Sequence, residues 1–245
     1  MIKSSHLRAN AAGAATTLRV QFLRLVLVLF AGLALACLWL FGASNGTVIS
    51  LALFAVIAIL AGRGLSEYSL NTLGAANIVT TARAALIALL AGSIVQPDVL
   101  TTHGWLLFGI AIMAFAMDGI DGFLARKNGT ATRYGARFDM EIDALYGAVL
   151  SLIILSAGIA GTLILILGFM RYVFVGASYA LPWLNGSLPE SMRRKVVCVV
   201  QIATLIALIC PLIPTALHLP ITLIGVVALI WSFAVDTLWL KKAAF

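Results

Sequence analysis

The most regular feature of the chain is an alternation between long apolar stretches and short polar connections. Eight stretches are long enough, or nearly so, to cross a bilayer whose hydrocarbon core is about 30 Å thick. They run approximately over 20–41, 46–62, 77–95, 104–124, 136–159, 161–184, 196–214 and 219–239. The pattern therefore predicts an all-α fold, a polytopic membrane bundle of helices.

The composition excludes most classes of soluble protein. Hydrophobic residues make up 62% of the chain and charged residues 10%, against roughly 45–50% and about 25% in ordinary soluble domains. A soluble fold of this length cannot hide so much apolar surface. We therefore exclude a cytosolic enzyme, a nucleic-acid-binding module, a disulfide-rich secreted domain and a disordered chain.

The basic residues are concentrated on one side of the predicted membrane. Lys and Arg occur before or within the start of the first span, in the second, fourth and sixth connections, and after the last span, and the four opposite connections contain none. Because cytoplasmic loops are enriched in Lys and Arg, we predict that both termini face the cytoplasm. We expect a bacterial inner membrane as the location, and we relate the net charge of +7 to orientation and anionic lipid, not to nucleic acid.

Acidic residues are scarce and clustered. Five of the nine lie between residues 118 and 143, at the cytoplasmic end of span four and the start of span five. Asp118 and Asp121 are three positions apart, and Asp139 and Asp143 are four positions apart, so each pair shares one helix face. Glu141 lies on a different face. Folding across the intervening loop would bring four carboxylates toward one point.

Four clustered carboxylates repel one another and need protons, cationic side chains or metal ions. Carboxylate oxygens without His or Cys favour a hard cation, Mg²⁺ or Mn²⁺, and we expect two of them. A two-metal site beside Gly and Arg suits diphosphate binding and in-line displacement at phosphorus. The alternative is an acidic interfacial patch that the basic loop balances.

The segment DGIDGFLARKNGTATRYGARFDMEID resembles the signature of the CDP-alcohol phosphotransferase family, D-x2-D-G-x2-A-R-x8-G-x3-D-x3-D. The fixed positions are filled by Asp118, Asp121, Gly122, Ala125, Arg126, Gly135, Asp139 and Asp143. A second family feature, N-x-x-T-x-x-R in the first core helix, is met by Asn77, Thr80 and Arg83. Ala76 stands where the family often has proline.

The resemblance implies a fold and an activity. The fold is a six-helix catalytic core over residues 75–245, preceded by a two-span extension and juxtamembrane segment over residues 1–74. The activity is transfer of a phosphatidyl group from CDP-diacylglycerol to the hydroxyl of a small polar alcohol, with release of CMP. Two divalent cations and a homodimer are the further expectations.

Roles for single residues also follow from the resemblance. Asp118, Asp121, Asp139 and Asp143 would bind the cations, and Asp143 would also be the catalytic base. The residues expected to contact the nucleotide or the diphosphate of the donor are Asn77, Thr80, Gly122, Ala125, Arg126 and Gly135.

Three basic residues are candidates for binding the acceptor. Arg171 lies near the middle of span six, where a charge is costly and usually functional. Arg194 and Lys195 open span seven. Together they favour a phosphorylated acceptor such as glycerol 3-phosphate or inositol phosphate. The alternatives are a carboxylate partner for Arg171 and an orientation signal for the basic run, while Asp236 in span eight is expected to pair helices or reach the interface.

Other functions stay open at this point. A relative with a water-soluble CDP-alcohol donor and a lipid acceptor would share the same motif. An intramembrane prenyltransferase would be expected to carry its acidic motifs in two separated regions. A cation transporter would continue its acidic residues across the membrane, whereas this cluster lies at one face.

Overall fold

The structure, a computed structural model, describes residues 2–65, 73–127, 132–189 and 191–244, with side chains described outside 2–16 and 121–126. These ranges contain no strand. The α-helices are α1 Ile2–Phe41, α2 Asn45–Gly64, α3 Ala75–Ala91, α4 Asp98–Lys127, α5 Arg133–Ser156, α6 Ile164–Ala180, α7 Met192–Leu208 and α8 His218–Ala244. The prediction of an all-α helical fold is confirmed.

Five segments of the described chain are long and apolar enough to cross a membrane. They are Thr17–Phe41, Asn45–Gly64, Ala75–Ile94, Asp98–Ile120 and Thr215–Ala244. Helix α6 is apolar but shorter. Charged residues crowd the first turns of α5 and α7, which lowers the hydropathy of these two helices. Eight membrane crossings, with both termini on one side, therefore stay a prediction.

Two helices are followed by glycines that have positive φ. Gly158 has φ +67°, and its N–H donates to the Leu155 carbonyl, while the Ile159 N–H donates to the Ile154 carbonyl, both at 3.0 Å. This pair of bonds is the Schellman arrangement, which needs a left-handed residue that glycine adopts without steric cost. The cap ends α5 at Ser156, three residues before the predicted span end. Gly42 has the same φ of +67° after α1.

The chain divides into two compact units. The first comprises Met1–Gly92 and Ile110–Ile142, and the second comprises Ser93–Gly109 and Asp143–Phe245. Helices α4 and α5 each continue from one unit into the other. The division expected at residue 74 is a different kind of boundary, based on the family resemblance, and stays a prediction.

In the first unit, α1, α2 and α3 contact one another pairwise. Helix α3 is the most enclosed, with 72% of its most apolar 18-residue window buried. Gly92 at the end of α3 lets Phe41 and Ser50 approach, since a Cβ there would lie 2.5 Å from the Phe41 ring and 2.7 Å from Ser50 Oγ. The Ser50 hydroxyl donates to the Leu89 carbonyl at 3.4 Å.

In the second unit, α7 packs along α8 and α6 also contacts α8. Small residues bring the helices close. A Cβ on Gly225 of α8 would lie 2.8 Å from the Thr204 methyl carbon on α7. A Cβ on Gly168 of α6 would lie 2.7 Å from Ser151 Cβ and 3.1 Å from Ala148 Cα on α5. Close helix contacts through small residues are typical of membrane helix packing.

We expect Gly168→Ala to lower the melting temperature, because the added Cβ meets the α5 backbone as well as a buried serine. Overpacking of this kind costs about 1–3 kcal/mol. Thermal unfolding in detergent is the measurement. Gly176→Ala on the same helix is the matched control, since nothing lies within 4 Å of its added Cβ. Equal melting temperatures for the two variants would contradict the packing argument.

Candidate active site and metal centre

Three of the four buried polar side chains on the enclosed helix α3 of the first unit are motif residues. Asn77, Thr80 and Arg83 are 5%, 3% and 1% exposed. The Thr80 hydroxyl donates to the Ala76 carbonyl at 3.0 Å, one turn back along the helix. Buried polar groups cost free energy unless they have partners. Their presence on the most enclosed helix therefore marks this face of α3 as a functional candidate.

Arg83 joins the two helices that carry the acidic motif. One guanidinium nitrogen, Nη1, donates to Asp118 Oδ1 on α4 and to Asp139 Oδ1 on α5, at 3.0 Å in both cases. The arginine side chain is 1% exposed, whereas the two aspartate side chains are 37% and 34% exposed. The contact thus has a buried cationic end and an accessible acidic end.

Asp143 extends the acidic cluster along α5. It follows Asp139 by one helical turn and is the residue of this continuous helix at which the second unit begins. One carboxylate oxygen from each of Asp118, Asp139 and Asp143 lies within 4.8 Å of the other two. The predicted meeting of α4 and α5 carboxylates is therefore present for these three residues.

The donor set fits a hard divalent cation. Mg²⁺ binds oxygen at about 2.0–2.1 Å, so two oxygens on one ion lie at most about 4.2 Å apart. The observed limit of 4.8 Å is within reach of small side-chain rotations. A carboxylate has about four lone-pair positions, so an aspartate that accepts from Arg83 keeps capacity for a metal. The single positive charge of Arg83 equals the negative charge of one carboxylate.

Four motif residues have side chains outside the described part of the structure. They are Asp121, Gly122, Ala125 and Arg126, on the last turns of α4. Their backbone is helical up to Lys127. Because Asp121 follows Asp118 by three positions on this helix, its Cα lies on the same side of α4.

Gly135 lies in the first turn of α5, beside Asn77 on the polar face of α3. A Cβ at this position would lie 3.1 Å from Asn77 Oδ1, so any larger residue would crowd the asparagine. The Gly135 N–H donates to Thr132 Oγ1 at 3.0 Å. Thr132 thereby caps the N-terminus of α5, with its hydroxyl on the third N–H of the helix. This cap fixes where the helix starts, and it was not predicted from the sequence.

The candidate acceptor residues all lie in the second unit. Arg171 is half-buried on α6, and Lys195 is exposed at the start of α7. Arg194 donates to Asp236 Oδ1 on α8 at 3.3 Å and to the Pro189 carbonyl. The neighbouring Arg193 donates to the same carboxylate oxygen at 2.5 Å. Of the two roles expected for Asp236, helix pairing is the one that these bonds between α7 and α8 match.

The side-chain contacts of two arginines were not predicted from the sequence. Arg83 was recognised only as a motif position, although an arginine inside an apolar span needs a polar partner. Arg193 also contacts Ser232, through the backbone carbonyl at 2.5 Å and the hydroxyl at 2.6 Å. Both arginines bind residues 35 or more positions away. Helical spacing indicates which face a residue occupies, but not its partner on another helix.

Comparison with known proteins identifies one family. The family model described as CDP-alcohol phosphatidyltransferase matches residues 73–237. The matched segment contains α3 to α7 and most of α8, and with them every residue of the candidate site. No curated protein and no solved structure shows a significant match to the chain.

We expect Arg83→Met to destabilise the metal-free protein, because the variant leaves the Asp118 and Asp139 carboxylates close together without their shared cation. A loss of roughly 5 °C in melting temperature, or ~2 kcal/mol, is the expected scale. A divalent cation supplies the missing charge, so Mg²⁺ should raise the melting temperature of Arg83→Met more than that of the wild type.

Thermal unfolding in EDTA and in Mg²⁺ is the measurement. Arg24→Met is the control, because this arginine is exposed on α1. An identical Mg²⁺-dependent rise in Arg83→Met and the wild type would contradict the role given to Arg83.

Proposed function

Because the chain belongs to the CDP-alcohol phosphatidyltransferase family, we propose that it transfers a phosphatidyl group from CDP-diacylglycerol to the hydroxyl of a small polar alcohol. The family comprises membrane transferases of substituted phosphate groups, which use CDP-linked donors, alcohol acceptors and divalent metals. The chain is accordingly an integral membrane enzyme. The observation that carries the finer proposal is the cluster of Asp118, Asp139 and Asp143, of which Asp118 and Asp139 share the buried Arg83.

Two divalent cations, Mg²⁺ or Mn²⁺, would be held by Asp118, Asp121, Asp139 and Asp143. When bound, they supply neutralisation of the diphosphate charge, which makes CMP a better leaving group. The protein itself prepares the site before a cation binds. Arg83 holds Asp118 of α4 and Asp139 of α5 on a single nitrogen atom, so the carboxylates need little rearrangement to receive a cation. Such preorganisation lowers the cost of assembling the site.

Residues of α3, α4 and α5 would bind the donor. Gly122 and Ala125 would leave space for the cytidine, and Arg126 would contact the diphosphate. Asn77, Thr80 and Gly135 complete the nucleotide pocket. The close approach of the Gly135 backbone to Asn77 supports this assignment, because a flat base needs a position from which no side chain protrudes.

Asp143 is proposed as the general base. The acceptor oxygen attacks the phosphorus atom of the phosphatidyl group, and its proton passes to the Asp143 carboxylate. The bond from phosphorus to the bridging oxygen breaks, and CMP leaves with the electron pair. A carboxylate within hydrogen-bond reach can remove the proton. Alignment of the attacking and leaving oxygens supplies much of the remaining rate.

The acceptor is proposed to carry a phosphate, as glycerol 3-phosphate or inositol phosphate does. Arg171, Arg194 and Lys195 would bind it. The bond from Arg194 to Asp236 supports a fixed position for that guanidinium group. The alternative function, with a water-soluble CDP-alcohol donor and a lipid acceptor, would use the same metal site. The identity of the reaction product therefore distinguishes the two functions.

The remaining proposals concern the setting of the enzyme. We place the active site at the cytoplasmic face of a bacterial inner membrane, since the acidic motif adjoins the basic loop. We treat residues 75–245 as the catalytic domain and residues 1–74 as an extension. A homodimer is the proposed assembly.

We expect purified protein to release CMP from CDP-diacylglycerol when Mg²⁺ or Mn²⁺ and a suitable alcohol are present. Asp143→Asn should lower turnover at least about 10²-fold, since it removes the base while it preserves size. The measurement is CMP release, with the lipid product identified over a panel of alcohols.

Glu141→Gln is the matched control, because Glu141 lies on the same helix outside the acidic row and is exposed. Near-wild-type turnover of folded Asp143→Asn would exclude the assigned base. Failure of the wild type with every alcohol would contradict the transferase activity proposed from CDP-diacylglycerol.

We expect Arg171→Ala to raise the KM for a phosphorylated acceptor by about 10-fold, the scale of a lost charge-assisted hydrogen bond. The KM for CDP-diacylglycerol should change little. Steady-state kinetics with each substrate varied in turn is the measurement. Arg24→Ala, at an exposed position of α1, serves as the control. Equal changes in both KM values would place Arg171 elsewhere than in the acceptor pocket.

A further inference from the structure

We propose that the N-terminal helix pair, α1 and α2, positions the first turn of α5 for nucleotide binding, and that Tyr134 is the residue through which it does so. The helix pair precedes residue 73, where the family match begins. Its role is thus not explained by the catalytic core. The inference rests on the proposed function, because it concerns binding of the cytidine nucleotide at that same site.

The first observation is a hydrogen bond from the start of α5 to the end of α2. The Tyr134 hydroxyl donates to the Ala61 carbonyl at 2.8 Å, and this bond is buried. Ala61 lies in the last turn of α2, where backbone carbonyls begin to lack donors from their own helix. The tyrosine therefore adds a donor to the C-terminal end of α2 and connects residues 73 positions apart.

The second observation is the packing around the tyrosine ring. Tyr134 is 8% exposed and forms one buried cluster with Leu18 and Phe22 of α1 and Ala61 and Leu65 at the end of α2. The ring also lies against Gly64, where an added Cβ would be 2.5 Å from its Cε2 atom. A stiff aromatic ring inside such a cluster has one position, so the helix pair determines where the side chain of Tyr134 lies.

A second contact ties the helix pair to the start of α3. The backbone N–H of Leu73 donates to Gln21 Oε1 of α1 at 3.1 Å. Leu73 lies two residues before α3, the helix that carries Asn77 and Thr80. Helix α1 thus contacts the entry to α3 as well as the tyrosine at the entry to α5. Two of the three helices proposed to bind the donor thus contact the same helix pair.

The position of Tyr134 matters because of its neighbours in sequence. The next residue, Gly135, is the one whose backbone approaches Asn77, with only 3.1 Å between an added Cβ and Asn77 Oδ1. One turn later, Phe138 stacks on Tyr134 with 6.1 Å between the ring centroids. Phe138 directly precedes Asp139. A shift of the tyrosine would therefore move the nucleotide-facing glycine relative to Asn77.

Two substitutions disturb this contact in different ways. Tyr134→Phe removes the hydroxyl and keeps the ring, so the cluster stays filled while the bond to Ala61 is lost. Gly64→Ala keeps the hydroxyl and pushes the ring away. Two controls match them in chemistry. Tyr179→Phe changes a tyrosine that is 85% exposed, and Gly62→Ala places a Cβ at an ordinary 3.5 Å from the Phe22 ring.

The experiment measures the dissociation constant of CMP, with Mg²⁺, by calorimetry on the full-length protein in detergent. Tyr134→Phe should raise this constant about fivefold, the scale of one buried hydrogen bond, and Gly64→Ala should raise it further. In turnover assays the KM for CDP-diacylglycerol should rise in parallel, while kcat and the acceptor KM stay within about twofold of the wild type. Both controls should match the wild type.

Melting temperatures of the same samples separate positioning from general stability. If both variants lose melting temperature but keep the wild-type dissociation constant for CMP, the inference is overturned and the contact is only structural. Equal increases in the donor and acceptor KM values would overturn it as well. A wild-type protein with no measurable affinity for CMP would contradict the proposed function, and this inference with it.

Discussion

The dependence of the acidic site on one buried cation is the constraint from which the rest of the structure follows. An arginine that is 1% exposed on the most enclosed helix of its unit must have anionic partners. Those partners come from two other helices, so α3, α4 and α5 have to meet at one point. The capping threonine at the start of α5 and Gly135 beside Asn77 lie on the helices that meet there.

This arrangement also explains why the site combines rigidity with access. The guanidinium end of the contact is enclosed by packed helices, whereas about a third of each aspartate side chain remains accessible. Enclosure fixes the distance between the two carboxylates, and exposure leaves room for solvent, a cation or a diphosphate. In a site built from helices, packing provides the rigidity, and a position near the helix ends provides the access.

The sequence is most informative where the physical cause is local. Apolar runs predicted the helices, and the four-residue interval predicted that Asp139 and Asp143 share a face of α5. The end of α5 was misplaced because the left-handed conformation of Gly158 depends on the course of the backbone after the helix. The partners of Arg83 and Arg193 lie 35 to 56 positions away, so no periodicity along one helix reveals them. Tyr134 illustrates the same limit, since its sequence context indicates only a helix start.

The pairing of Asp236 with two arginines has a consequence for the order of events during membrane insertion. Arg193 and Arg194 are synthesised 43 and 42 residues before Asp236. In the proposed topology these two guanidinium charges lie on the cytoplasmic side, and until Asp236 has been made they count fully toward retention of that side. Once α8 has been inserted, Asp236 neutralises part of that charge and joins the two helices. In that topology the same arginines would orient the nascent chain first and join its last two helices afterwards.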